Sequence, residues 1–142
     1  MNKRIKQKKN LMYKVIAVDI DETIASSKYS YPYIDEVNYK AISVLNEYRD
    51  KGGKIILWTL RTDKHLDLAL EVLAANGLKW DSVNENLQES IDEWESKYPG
   101  MTYSPKVCCD LFIDDRNYGT HITGLDWNTV RNEILREVVD NG

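Results

Sequence analysis

Three apolar runs constrain the fold of this 142-residue chain more than any other feature: VIAVDI at 15–20, KIILWT at 54–59 and VCCDLFIDD at 107–115. They are short and nearly continuously apolar, as strands buried on both faces are. The first strand is predicted from about Tyr13 to Asp19 and the second over Lys54–Thr59. Between them, Val37, Ala41, Val44, Leu45 and Tyr48 recur at helical spacing, which predicts a helix from about Asp35 to Arg49 that Gly52 and Gly53 stop. A second helix starts at Thr62 or Asp63, carries Leu66, Ala69, Leu70 and Leu73, and ends near Asn76–Gly77. A short strand, KWDSVN, leads into an acidic helix within NENLQESIDEWESKYPG. A last helix is expected from about Asn128 to Asp140, with Val130, Ile134, Leu135 and Val138 on one face. Strand and helix alternate, so the expected fold is a three-layer, Rossmann-like α/β domain: a mainly parallel central sheet flanked by helices.

The length suits one domain, expected over 13–142, preceded by a basic arm over 1–12 that holds Lys3, Arg4, Lys6, Lys8 and Lys9. A net charge of −4 and 42% hydrophobic residues are ordinary for a soluble globular protein. No apolar stretch approaches the roughly 18 residues of a membrane span, and none follows the basic N-terminus as a secretory signal requires. No membrane partner and a cytoplasmic location are therefore expected. The arm reads as a solvated, dispensable tail, with contact to nucleic acid as its weaker alternative. Cys108 and Cys109 are adjacent and read as buried strand thiols in a reducing compartment.

Open parallel sheets bind ligands beyond the carboxyl ends of their strands, where strand order reverses. The residues at those ends are unusual here. The first strand ends in Asp19 and Asp21, the second in Thr59 with Arg61 close behind, and the last of the three in Asp114 and Asp115. Four carboxylates crowded at one edge repel unless a cation or a proton lies between them. Crowded oxygen donors suit a hard ion such as Mg²⁺.

DIDET, Asp19 to Thr23, resembles the D-x-D-x-T signature of haloacid-dehalogenase-like phosphatases. Thr59, closing IILWT, is similar to that superfamily's second motif, and LFIDD, ending in Asp114–Asp115, to its acidic metal motif. The matches occur in the family's order and span Val15 to Asp115. The resemblance implies a Mg²⁺-dependent phosphomonoester hydrolase. Asp19 would be the nucleophile that forms an aspartyl-phosphate, and Asp21 the general acid and base. Thr59 would bind the phosphoryl group. Asp19, the Asp21 backbone carbonyl and Asp114 or Asp115 would hold the metal.

The family's charge-balancing lysine corresponds to Lys106 in SPKVCCDLFIDD. A fully extended chain would put Lys106 about 26 Å from Asp114, so Arg61 and Arg116 stand as alternative cations. Thr23 is expected to hold the turn after Asp21 rather than to act on substrate. His65 and His121 show no evident partner, and Trp58, Trp80, Trp94 and Trp127 are expected to pack. Tyr29, Tyr31 and Tyr33 either pack a hairpin or form a small flap over a substrate.

The chain lacks room for the cap domains of many such relatives, which implies a small capless member with an open site. A small phosphorylated metabolite is the expected substrate, with a phosphorylated nucleic-acid end as a weaker one. Two other readings stand beside hydrolysis: a non-catalytic module that binds Mg²⁺ and a phosphorylated ligand, and a phosphotransferase.

Overall fold

The computed structural model describes residues 8–140, with the side chain of Asp140 left aside. Its elements in chain order are β1 (Lys8–Leu11), β2 (Val15–Val18), β3 (Ala25–Ser26), β4 (Glu36–Val37), α1 (Tyr39–Asp50), β5 (Lys54–Leu57), α2 (Asp63–Ala75), β6 (Ser82–Val83), α3 (Gln88–Lys97), β7 (Leu111–Ile113), α4 (Thr120–Thr123), α5 (Trp127–Ile134) and β8 (Glu137–Asp140). β6, β5, β2 and β7 lie side by side in that order as one four-stranded sheet, all parallel. Two small antiparallel ribbons accompany it, β1 with β8 and β3 with β4. The mixed α/β sheet flanked by helices is the expected Rossmann-like arrangement at that level.

Alternation along the strands explains why their sequences are apolar throughout. Ile16, Val18, Ile55 and Leu57 point into a large core with Ala41, Leu45 and Tyr48 of α1, Leu73 of α2 and Ile134 of α5. Ala17 and Ile56 point the other way, into a small cluster with Leu87 and Val107. The second cover is thin, and no residue of α3 is buried. Tyr48 is fully buried and its hydroxyl donates to the Tyr13 carbonyl at 2.9 Å. A Cβ on Gly53 would lie 2.2 Å from that ring, so only glycine lets the chain pass there.

Several expected boundaries move, each for a local reason. Helix α1 starts at Tyr39 rather than Asp35, because Asn38 caps it by accepting the Ala41 N–H at 3.0 Å. Asp35 instead accepts from the Tyr29 N–H and the Ser30 hydroxyl, closing the tyrosine-rich loop. The run at 107–115 forms a strand only over Leu111–Ile113. Asp110 anchors its start by accepting the N–H groups of Lys14 and Val15 at 2.8 and 3.0 Å. Cys108 is therefore exposed and Cys109 half-buried, not a pair of buried strand thiols. The last helix stops at Ile134. Beyond it Glu137–Asp140 pairs with Lys8–Leu11, so the described end of the basic arm is a strand rather than a loose tail. Lys3, Arg4 and Lys6 lie outside the described residues. No helix among the described residues is long and apolar enough to cross a membrane.

Candidate active site

The chain leaves β2 towards β5 on one side and returns to β7 on the other, so strand order reverses beside β2. The carboxyl ends of β2, β5, β6 and β7 border a cleft of about 620 Å³ lined by Asp19, Asp21, Thr59, Arg61, Asp114 and Asp115, among others. Three non-glycine residues have positive φ among the described residues: Glu22 at 60°, Asp63 at 50° and Asn84 at 53°. All three lie where the chain leaves the carboxyl ends of β2, β5 and β6. Backbone conformations that side chains disfavour are thus concentrated at the edge that carries the cleft.

The floor of the cleft is acidic. One oxygen each from Asp19, Asp114 and Asp115 can be chosen so that all lie within 4.8 Å of one another. Asp19 continues the β2–β7 ladder through its N–H to the Ile113 carbonyl, at 3.0 Å, which fixes its backbone. Burial and the neighbouring Asp114 charge push its carboxyl up from 3.8 to about 7, against the Thr23 hydrogen bond. Asp115 is raised as well, by burial and by its contact with Asp114. Thr23 ties the group together: its hydroxyl donates to Asp19 Oδ2 at 3.2 Å and accepts the Asp115 N–H at 3.2 Å. Its own carbonyl receives the indole N–H of Trp127 at 3.1 Å. The threonine holds the turn, as expected, and it links the two acidic strand ends too.

Asp21 does not join this cluster. Its side chain is gripped by Arg61, whose Nε and Nη2 donate to Oδ2 and Oδ1 at 2.8 Å each, and by the Ser27 hydroxyl at 2.6 Å. Burial pushes the Asp21 carboxyl up, but the Arg61 and Ser27 hydrogen bonds outweigh it and the net displacement is downward. Arg61 is only 2% exposed, and its Nη1 donates to the carbonyls of Pro32 and His65 at 2.8 and 2.9 Å. A guanidinium with this many protein partners positions Asp21; it is not a loose cation waiting for a phosphoryl group.

Thr59 sits in the cleft with its backbone fixed: its N–H donates to Asn84 Oδ1 at 2.8 Å, and its hydroxyl oxygen accepts the Arg61 N–H at 3.1 Å. Among the described residues no acceptor takes the hydroxyl proton. Lys106 is exposed and is not among the residues that line the cleft, whereas Arg116 does line it. The chain at Lys106 is held elsewhere: Asn86 donates to its carbonyl at 3.2 Å and accepts the Cys108 N–H at 2.6 Å. Of the expected cations, Arg116 takes the exposed place in the cleft and Arg61 the buried one.

Two contributors carry little sequence signal. Ser27 has no periodic relation to Asp21. Asn84 is legible only as the last residue of KWDSVN, at the carboxyl end of its strand like the others.

No family model matches the chain, and no curated protein matches it. It is similar to the solved structure of a conserved protein from Bacteroides thetaiotaomicron, with 32% identity over 87% of this chain and 88% of that one and a TM-score of 0.64. With that identity over most of both lengths, the chain belongs to the same family as this conserved Bacteroides thetaiotaomicron protein.

Proposed function

We propose that the protein is a Mg²⁺-dependent phosphomonoester hydrolase of the haloacid-dehalogenase-like kind, working through an aspartyl-phosphate on Asp19. The observation that carries this reading is the convergence of Asp19, Asp114 and Asp115, with oxygens within 4.8 Å, in one cleft with the Thr59 hydroxyl. Three mutually repelling carboxylates with oxygen donors only fit a hard divalent ion. When bound, Mg²⁺ supplies the positive charge that lets an anionic carboxylate meet an anionic phosphate.

In this reading the Asp19 oxygen attacks phosphorus as the ester P–O bond breaks, and Thr59 donates its hydroxyl proton to a phosphoryl oxygen as a hydrogen bond. Asp21 then takes a proton from the water that hydrolyses the aspartyl-phosphate. Arg61 and Ser27 hold Asp21 anionic, which suits this base step. The same grip makes protonation of the departing oxygen the demanding part of the first step, and an ester that needs little of it isolates the attack by Asp19. An aryl phosphate is for that reason the right first substrate. Arg116 supplies the exposed positive charge at the cleft that the resemblance assigned to Lys106.

The test is phosphate release from an aryl phosphate with Mg²⁺ and with chelator, for wild type and Asp19→Asn. Turnover that needs Mg²⁺ and falls about 10³-fold or more in the variant is the expected result. A non-catalytic module that binds Mg²⁺ and a phosphorylated ligand is the second reading, favoured by the commitment of Asp21 to Arg61. It predicts Mg²⁺ binding with no turnover of any phosphomonoester.

A further inference from the structure

The cleft is larger than a phosphoryl group and its metal require, and at about 620 Å³ it is the size of a small-molecule site. Its outer part differs in character from the acidic floor. Tyr31 and Leu60 line it, 54% and 91% exposed, while Trp58, which also lines the cleft, packs against the Ala17 and Ile56 cluster. Tyr31 is nevertheless fixed. The Arg61 guanidinium carbon lies 4.7 Å from its ring centroid. His65 meets the ring edge-on at 5.2 Å, and His65 Nδ1 is 3.2 Å from the Tyr31 hydroxyl oxygen. A half-exposed ring held from beneath by a buried, fully engaged arginine is a preorganised surface, which loses little freedom when something flat settles on it.

The polar groups that touch Arg61 and Asp21 are engaged within the protein, whereas Glu22, Thr59 and Arg116 also line the cleft. Ser27 serves Asp21, the Asn84 amide serves Thr59 and the Arg61 carbonyl, and the Arg61 guanidinium serves Asp21 and two carbonyls. A flat base gains the exposed face of the Tyr31 ring, which a sugar phosphate does not use. The platform is also near the chemistry. Arg61 joins the Asp21 carboxylate to the Tyr31 ring, so the centroid lies within about 9 Å of that carboxylate, the two contacts laid end to end.

We propose that the Tyr31 ring, in a cleft that Leu60 also lines, is a base-stacking platform and that the phosphomonoester this cleft takes is a nucleoside monophosphate. The phosphate end of this assignment rests on the hydrolase reading above; the platform does not. Stacking tolerates any base, so no preference among the bases is expected.

The test titrates wild-type protein in Mg²⁺ with the non-hydrolysable methylene-phosphonate analogues of adenosine 5′-monophosphate and of ribose 5-phosphate. The nucleotide analogue is expected to bind about tenfold more tightly or better. The ratio should shrink in Tyr31→Leu, which keeps bulk but removes the π-face, and in Leu60→Ser. Equal affinities, or no binding of either analogue, would overturn the proposal. So would a short 5′-phosphorylated oligonucleotide that bound far more tightly than the mononucleotide. Selective binding without any phosphate release from nucleotide or aryl esters would keep the platform and remove the hydrolase. Phosphate release with both analogues bound alike would do the reverse.

Discussion

Aspartates stand at both edges of the central sheet, and the two edges use them differently. At the amino edge Asp110 accepts the N–H groups of Lys14 and Val15, and Asp81 accepts the Ile55 N–H at 2.9 Å. Arg49 grips Asp81 through two nitrogens at 3.1 and 3.3 Å, with Lys54 Nζ at 3.9 Å. Each of these carboxylates has donors of its own and lies apart from the other. At the carboxyl edge Asp19, Asp114 and Asp115 face one another, and among the described residues Asp19 has one side-chain donor from outside the group, Thr23. The fold satisfies acids individually where they only anchor strands. It crowds them at the cleft, where the proposed reading has a cation complete the group. Asp21, held by Arg61 and Ser27, is an amino-edge kind of carboxylate placed beside the carboxyl-edge kind.

Substitutions at the two edges should separate binding from stability. The largest effect is expected at the carboxyl edge: Asp115→Asn should weaken Mg²⁺ binding about a hundredfold, read by titration calorimetry. Unchanged affinity would remove Asp115 from the metal group. At the amino edge, Asp81→Ala strands the Ile55 N–H and the Arg49 guanidinium. It should lower stability by about 2–3 kcal/mol in urea unfolding while Mg²⁺ affinity stays at the wild-type value.

A smaller effect of opposite sign sharpens the contrast. The Asp19 carboxyl, raised from 3.8 to about 7, keeps a proton in the folded protein that the unfolded chain has released between those values. Without metal, its contribution to stability is therefore lost as pH rises through that window. Asp19→Asn should stabilise the metal-free protein by about 1 kcal/mol at pH 8 and leave it nearly unchanged at pH 4. Thermal melts at the two pH values check this; destabilisation at pH 8 would mean that the acidic floor is not under repulsion.

The candidate site was legible because apolar runs mark strands and their last residues mark one edge of a parallel sheet. Asp19, Thr59 and Asp114 could be grouped from strand ends alone. What stayed hidden depended on side-chain partnership. Nothing in the spacing of Asp21, Ser27 and Arg61 says that one guanidinium and one hydroxyl will close on one carboxylate. Lys106 was misplaced for a related reason: Asn86 and Asp110 bend and anchor the chain before β7, so nearness in sequence to Asp114 does not become nearness in the cleft. At the other end, Val138 follows Ile134 at helical spacing, yet the β-branched pair Val138–Val139 pairs across to Lys9 and Asn10.

In the proposed reaction Asp19, in its crowded group, accepts a phosphoryl group. Beryllium fluoride with Mg²⁺ mimics such an acyl phosphate, and fluorine NMR reads it directly. Bound fluorine resonances in the wild type that vanish in Asp19→Asn and on chelation are the predicted result. Their absence from the wild type, or their persistence in Asp19→Asn, would show that Asp19 is not the phosphoryl acceptor.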